Sequence, residues 1–112
     1  MKNKNNKTVA TIHRDISVDD FIKKANKSTK MSVGFGMPGI ECGNQFDKAI
    51  IEEEGGRRAI TFESSYANMF FKFNLGMLNA KYRATMENKG GAEISVHFEE
   101  APFINLIVFL RY

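Results

Sequence analysis

The side chains in this sequence best suited to catalysis are those of its one cysteine and its two histidines. Cys42, which follows Glu41, offers a thiol nucleophile, and His13 or His97 offers an imidazole base. A nucleophile and its base have to lie within hydrogen-bond reach of each other, and the spacing of these residues along the chain favours no such pair. We therefore predict no catalytic residue, and a small enzyme dependent on Cys42 or His97 is the last of three functional hypotheses.

Metal and cofactor sites are not indicated by the sequence. A zinc site needs thiol or imidazole ligands at short, regular spacings, and no two of Cys42, His13 and His97 are spaced in that way. The single cysteine also excludes an internal disulfide and favours a reducing compartment. We predict that the protein uses neither a metal nor a cofactor.

Residues 34–39 have the letters G-x-G-x-x-G. In a dinucleotide-binding site this loop opens a helix whose N-terminus holds the pyrophosphate, but the residues that follow here have no helical pattern. The whole of 29–45 is rich in glycine and is predicted to be irregular. Because loops on a rigid sheet often carry function, we predict that Phe35, Met37 and Ile40 form a partner-binding loop.

Basic side chains near the C-terminal half suggest a different kind of binding. Lys72, Lys81 and Arg83 fall on the polar sides of two strand-like segments, and Arg111 and Tyr112 end the sequence. If the two segments pair, these residues form a basic stripe which, with aromatic rings nearby, is typical of single-stranded nucleic-acid binding. The alternative interpretation is an ordinary solvated face, and acidic residues in the strand predicted next oppose a continuous cationic groove.

We predict that the rest of the chain packs around the run from residue 103 to residue 110. It is apolar at nearly every position, so as a strand it presents hydrophobic side chains on both faces. Strands of that kind lie in the middle of a structure rather than at its surface. Another strand, predicted over 92–100, precedes it and alternates between apolar and polar residues.

A single helix is predicted over 17–28. Ser17 is a favourable cap, and Asp19 and Asp20 follow in the first turn. Apolar residues recur at positions 18, 21, 22 and 25, which is the spacing of one helical face. A short strand over 8–13 is predicted to lie before this helix.

Glycines separate the remaining predicted strands. Gly55-Gly56 lies between strand-like runs over 46–54 and 57–63 and predicts a two-residue hairpin turn. Residues 66–86 contain both a helical stripe and an alternating pattern. We favour two strands, at about 68–75 and 77–86, with Gly76 as a bend or bulge between them.

Composition places limits on the class of protein. The 112 residues, 43% of them hydrophobic, are enough for one domain with its own core. The formal charge is +3, but residues 1–35 have a balance of +5 and residues 36–112 a balance of −2. No apolar segment follows the basic start, and no apolar run approaches the roughly 18 residues of a membrane span. We expect a soluble, cytoplasmic protein that does not associate with membranes.

These patterns predict an α+β fold: a twisted or barrel-like, mainly antiparallel sheet of about six or seven strands with one amphipathic helix near the N-terminus. The domain spans 7–112, after a disordered basic arm over 1–6. Because the second face of the 103–110 strand needs a cover, we also predict a homodimer.

Three functional hypotheses follow from the sequence. The first is a non-enzymatic protein that binds a macromolecular protein partner, as an inhibitor or adaptor. The second is a single-stranded DNA- or RNA-binding protein, and the third is the Cys/His enzyme described above. A compact chain rich in Asn and Lys is also typical of proteins encoded by phages or other mobile elements.

Overall fold

The computed structural model describes residues 10–112. The arm predicted over 1–6 and the start of the strand predicted over 8–13 lie outside the described residues. Within them the chain forms nine strands and one α-helix. In chain order these are β1 (Ala10–Ile16), α1 (Val18–Asn26), β2 (Lys30–Met37), β3 (Ile40–Phe46), β4 (Lys48–Glu54), β5 (Arg57–Glu63), β6 (Phe70–Asn74), β7 (Ala80–Asn88), β8 (Gly91–Phe98) and β9 (Asn105–Arg111), with a 3₁₀ turn at Met77–Asn79.

The strands form two antiparallel sheets. One has six strands in the order β1-β7-β8-β9-β2-β3, and the other has three in the order β4-β5-β6. The predicted α+β class, with mainly antiparallel sheet and one helix, is therefore confirmed. The predicted single, barrel-like sheet is replaced by two sheets, and over residues 10–112 the structure does not close into a barrel. The reason is that the chain changes sheets at Asp47, between β3 and β4, and again between β6 and β7.

The hydrophobic core lies between the two sheets. Ile94 and Val108 point inward from the six-stranded sheet, Ile60 and Phe62 from the three-stranded sheet, and all four are fully buried. Phe46 of β3 contacts Phe62 across this interface, with ring centroids 6.2 Å apart. Burial of these apolar side chains is the main force that holds the sheets together.

Helix α1 covers one end of the same inner face. Ser17 caps it by accepting a hydrogen bond from the backbone N–H of Asp20 at 3.0 Å. Phe21 is fully buried and stacks on Tyr82, with ring centroids 4.9 Å apart. The Tyr82 hydroxyl donates a hydrogen bond to the Leu75 carbonyl at 2.6 Å, and burial raises the pKa of Tyr82. The structure thus has one amphipathic helix, as predicted, and its bounds agree roughly with the predicted 17–28.

The two glycines between β4 and β5 form the predicted hairpin turn. Gly55 has φ 59° and Gly56 has φ 80°. Two successive positive φ values are the requirement of a type I′ turn, which only glycine and a few polar residues meet without strain. The first pair after the turn is Glu54 opposite Arg57.

The segment predicted as an irregular loop is a second hairpin, so that prediction was wrong. β2 and β3 pair along their whole length, and β9 holds β2 from the other side. Pro38 and Gly39 form the turn, and Gly39 has φ 85°, as the third residue of a type II turn requires. Glycine disfavours regular strands locally, but cross-strand pairing on both sides of β2 keeps its backbone extended.

Strand β9 lies inside the six-stranded sheet, between β8 and β2, in agreement with its apolar sequence. Only one of its faces is covered. Leu106, Val108 and Leu110 are buried, whereas Phe109 is 44% exposed and Ile107 is half-buried on the outer face. The expectation that β9 is covered on both faces is therefore not met by residues 10–112.

Residues 66–86, which have both a helical and an alternating pattern, contain two strands and no α-helix, as favoured, but the strands are shorter or shifted relative to the predicted 68–75 and 77–86. β6 and β7 are both strands, and the bend between them consists of Gly76 and the 3₁₀ turn. No helix among residues 10–112 has the length and apolar character needed to cross a membrane.

Candidate protein-binding surface

The structure does not bring the predicted nucleophile and bases together. Cys42 is on β3, and in the sheet order two strands separate it from His97 on β8 and four strands separate it from His13 on β1. Cys42 pairs with Phe35 and so shares the inner face, whereas His97 is next to the inward Val96 and lies on the outer face. Within residues 10–112 no three His, Cys, Asp or Glu side chains are grouped closely enough to hold a metal ion.

The predicted basic stripe is divided between the two sheets. Lys72 belongs to β6 in the three-stranded sheet, whereas Lys81 and Arg83 belong to β7 in the six-stranded sheet. Lys72 forms an ion pair with Glu52 at 3.4 Å, and Arg83 forms one with Asp15 at 3.0 Å. The basic stripe requires β6 and β7 to pair. They do not pair, because the chain changes sheets between them.

The two C-terminal residues of the predicted stripe have different environments. Arg111 lies on the outer face opposite Lys30. The Tyr112 hydroxyl donates to Glu87 at 3.4 Å, and Lys27 lies over its ring, 4.1 Å from the centroid. Burial and the negative charge of Glu87 raise the pKa of Tyr112 to about 12. Tyr112 is therefore part of the packing between the sheet and α1.

Glu87 is the centre of an ionic cluster on the inner side of the sheet. It accepts hydrogen bonds from the buried Lys24 of α1 and from Arg14 of β1, the latter at 3.2 Å. Burial disfavours the charged form of Glu87, but the contributions of Lys24, Tyr112 and Arg14 outweigh it and lower its pKa. The cluster joins α1, β1, β7 and the C-terminus, which is a structural role.

The predicted partner-binding residues lie on the β2–β3 hairpin. Phe35 and Met37 are half-buried on its inner face, where Phe35 contacts Phe71 with ring centroids 5.9 Å apart. Ile40 is 60% exposed at the start of β3. Of the three residues, Ile40 is the one that presents a large apolar surface to solvent.

Strand β3 has a free edge. Within residues 10–112 it pairs with β2 on one side and with no strand on the other. The two-residue turn makes Met37 and Ile40 a hydrogen-bonded pair, and such pairs alternate along an antiparallel ladder. The intervening residues Glu41, Gly43 and Gln45 therefore direct their backbone N–H and C=O groups to the free edge.

The other sheet edges have features that hinder the addition of a strand. β1 has a bulge between Thr11 and Arg14, β4 carries Lys48 and the acidic residues 52–54, and β6 has only five residues. β3 has seven residues and pairs without a bulge, and Glu41 is its only charged residue. Six of its residues are exposed. It is the least protected edge in the described part of the chain.

A trough without side chains opens onto this edge from the outer face of the sheet. Gly34 of β2 lies directly opposite Gly43 of β3 on one side and Ile107 of β9 on the other. We call these two glycines, with Ile107 as the wall, the glycine trough. Because directly paired residues share a face, the trough runs from the free edge of β3 to Ile107.

Neither glycine of the trough is required by the backbone. Both have φ outside the positive range. A Cβ on Gly34 would lie 4.0 Å from its nearest neighbour, the Ile107 carbonyl, and one on Gly43 would lie 3.6 Å from the Val33 carbonyl, so both fit. Glycine in a strand costs about 0.5–1 kcal/mol relative to alanine. The two glycines therefore lower the stability of the sheet and leave its surface open at these positions.

The sequence did not identify Gly34 or Gly43 as site residues. The signal in the sequence is the cluster of glycines at 34–43, whose spacing resembles a nucleotide motif and whose composition is typical of a loop. Only the pairing of β2 with both β3 and β9 brings Gly34, Gly43 and Ile107 into one row.

A comparison with models of known protein families finds no match, and neither a search of curated proteins nor a search of solved structures finds a similar protein. Over residues 10–112 the fold is a small, mainly antiparallel α+β fold whose least protected strand edge is that of β3.

Proposed function

We propose that this protein is a non-enzymatic interaction module that binds an extended segment of a protein partner along the free edge of β3. The partner strand pairs with the outward backbone groups of Glu41, Gly43 and Gln45, as in other cases of recognition by strand addition. A large apolar side chain of the partner, placed opposite Gly43, enters the glycine trough and lies over Gly43 towards Gly34. The protein then acts as an inhibitor or adaptor in the cytoplasm. A phage or another mobile element encodes it.

The observation that carries the proposal is the opening of the glycine trough onto an unprotected edge. Glycine on an edge strand is stabilised when a large side chain on the neighbouring strand packs over it. Here the space over Gly43 continues over Gly34 to Ile107, which provides an apolar end wall. The edge supplies the hydrogen bonds of the interface, and the trough supplies selectivity for a large side chain.

The tip of the hairpin adds apolar contact area to the same interface. Ile40, which is 60% exposed, lies on β3 itself and precedes the first outward-directed backbone group, Glu41. Phe35 and Met37 support the hairpin from its inner face. Of the three predicted partner-binding residues, Ile40 is the one that contacts the partner.

A peptide selection tests this function. We expect a random-peptide display library, selected against the immobilised protein, to enrich peptides that have a large apolar residue within an alternating pattern. The affinity of these peptides, measured by fluorescence anisotropy, should fall by about tenfold or more in Gly34→Val and in Gly43→Pro. The first variant fills the trough. The second removes an N–H that the fold itself does not use, and proline is tolerated at such edge positions.

Ser95→Val is the matched control for Gly34→Val. Ser95 lies opposite Ile107 on its other side, on the same outer face but away from the edge. We expect this variant to bind the selected peptides as the wild type does, and thermal unfolding should show that all three variants are folded. Peptides that bind Gly34→Val and Gly43→Pro with unchanged affinity, or a selection without enrichment, would contradict the proposal.

The two other functional hypotheses receive less support. Single-stranded nucleic-acid binding through Lys72, Lys81 and Arg83 requires a continuous face, and these residues are divided between two sheets. An enzyme based on Cys42 and His97 requires their side chains to meet, and they lie on opposite faces of the sheet.

A further inference from the structure

A groove of about 650 Å³ crosses the end of the six-stranded sheet where β9 ends and β2 begins. Its volume is typical of small-ligand sites. It is lined by residues of β2, β3 and β9, by the β7–β8 turn, and by the loop after β5. The side chains that matter to the argument are Lys30, Ser32, Gln45, Tyr66, Phe109 and Arg111.

Two cations in the groove lie side by side. Lys30 and Arg111 are directly opposite each other on adjacent strands and share the outer face of the sheet. Like charges in that position repel and destabilise a sheet. Among the described residues, neither has an acidic side chain within 4.0 Å. An anion bound between them would relieve the repulsion.

Two exposed aromatic rings line the same groove. Tyr66 is 93% exposed and Phe109 is 44% exposed. The backbone that carries Tyr66 is held in place, because the N–H groups of Tyr66 and Ala67 both donate to the Ser64 hydroxyl at 3.2 Å. Phe109 is fixed by β9. Flat apolar rings on an ordered backbone offer stacking faces to a planar ligand.

Polar groups complete the lining. Ser32 lies beside Phe109, directly opposite it on β2, and Gln45 is the next residue in that row, on β3. A hydroxyl and a carboxamide provide donors and acceptors for the edge of a nucleobase. The groove also contains Asp47, but one of its carboxylate oxygens already accepts the Ser65 N–H at 2.9 Å.

We infer that this groove binds a nucleotide unit, with the phosphate between Lys30 and Arg111 and the base stacked on Tyr66 or Phe109. Phosphate attraction and base stacking are the two interactions by which proteins bind single strands without sequence preference. The inference does not depend on the protein partner proposed above, since it uses other side chains and a different ligand. Free mononucleotides and single-stranded nucleic acid present the same chemistry, so the experiment includes both.

The test is a pair of titrations with the whole protein. Fluorescein-labelled oligothymidylate is followed by anisotropy at low and moderate salt, and adenosine monophosphate is followed by amide chemical shifts of the groove residues. We expect binding of the oligonucleotide to weaken about fivefold to a hundredfold in at least one of the variants Tyr66→Ala and Phe109→Ala, the range for loss of one stacked base. In the double variant Lys30→Gln/Arg111→Gln, the salt slope should decrease in magnitude by about 1.4, or about 0.7 for each lost phosphate contact.

Two control variants match these changes outside the groove. Lys81→Gln removes a positive charge from the same outer face, on β7, and Phe103→Ala removes an aromatic ring that is 55% exposed. Both should bind as the wild type does. Tighter binding of the oligonucleotide than of the mononucleotide would identify the ligand as a strand, and binding of the mononucleotide alone would identify a free nucleotide. No binding of either probe at low salt, or an equal loss of binding in Lys81→Gln or Phe103→Ala, would overturn the inference.

Discussion

At the scale of single residues, the most constrained group is the ionic cluster around Glu87. Lys24 is 7% exposed and donates to Glu87, with Asp20 at 3.7 Å as its other acidic neighbour. A buried ammonium without a partner is costly, so the pairing is a condition for α1 to pack on the sheet. The cluster serves the fold and does not face the groove or the free edge of β3.

The lowered pKa of Glu87 predicts a dependence of stability on pH. A carboxyl whose folded pKa is below its ordinary value, which is about 4.5, contributes fully above that value and loses its contribution as pH falls through the folded pKa. We expect Glu87→Gln to lower the free energy of unfolding by about 2–3 kcal/mol near neutral pH. The difference from the wild type should shrink below about pH 4.

Urea denaturation at neutral and acidic pH measures this effect. Glu100→Gln is the control, because Glu100 is exposed and forms no ion pair within the described residues. That variant should follow the wild type at every pH. If the free energy of unfolding of Glu87→Gln stays below that of the wild type by the same amount down to acidic pH, the ionisation of Glu87 contributes nothing to stability.

At the scale of elements, the structure requires glycine at some strand positions and not at others. Gly91 begins β8 where a Cβ would collide with the backbone carbonyl of Leu110 on β9. Gly34 and Gly43 have room for a side chain. Close packing of two strands explains Gly91, whereas packing leaves Gly34 and Gly43 unexplained and the proposed interface accounts for them.

This contrast predicts opposite effects of the same substitution. Gly91→Ala should lower the free energy of unfolding by about 1–3 kcal/mol, because the backbone of β9 has to move. Gly34→Ala should raise it by up to about 1 kcal/mol, since alanine loses less entropy on folding. Chemical denaturation of both variants checks the prediction. A loss of stability in Gly34→Ala would mean that the fold needs this glycine, and the argument for the trough would fail.

At the scale of the whole molecule, the free edge of β3 also bears on the predicted homodimer, which remains a proposal. Two copies of β3 can pair antiparallel about Gly43, which places Glu41 of one copy opposite Gln45 of the other. No like charges then face each other. The two six-stranded sheets become continuous in such a dimer, and the partner segment competes for the same edge.

Sedimentation velocity over a concentration series tests the dimer. We expect the wild type to shift from monomer to dimer with increasing concentration and Gly43→Pro to remain monomeric, because the proline removes the central edge hydrogen bonds. Gly43→Ala keeps those bonds and should still dimerise. Dimerisation of Gly43→Pro at wild-type concentrations would place the contact elsewhere, for example on the exposed outer face around Phe109.

The sequence alone determined the features that depend on neighbouring residues. The cap at Ser17 and the apolar spacing after it located α1, Gly55-Gly56 located the hairpin turn, and alternation located β7 and β8. Each of these depends on local geometry and on a periodicity that a short segment displays by itself. The interior position of β9 followed from its apolar composition.

Tertiary structure decided the features that depend on which strands meet. It turned the glycine-rich segment 29–45 into a hairpin, because β9 pairs with β2. It divided Lys72 from Lys81 and Arg83, because the chain changes sheets between β6 and β7. It also assembled the glycine trough and the groove from residues far apart in sequence. Register between distant strands is set by the burial of one complete sheet face, and no local pattern contains that information.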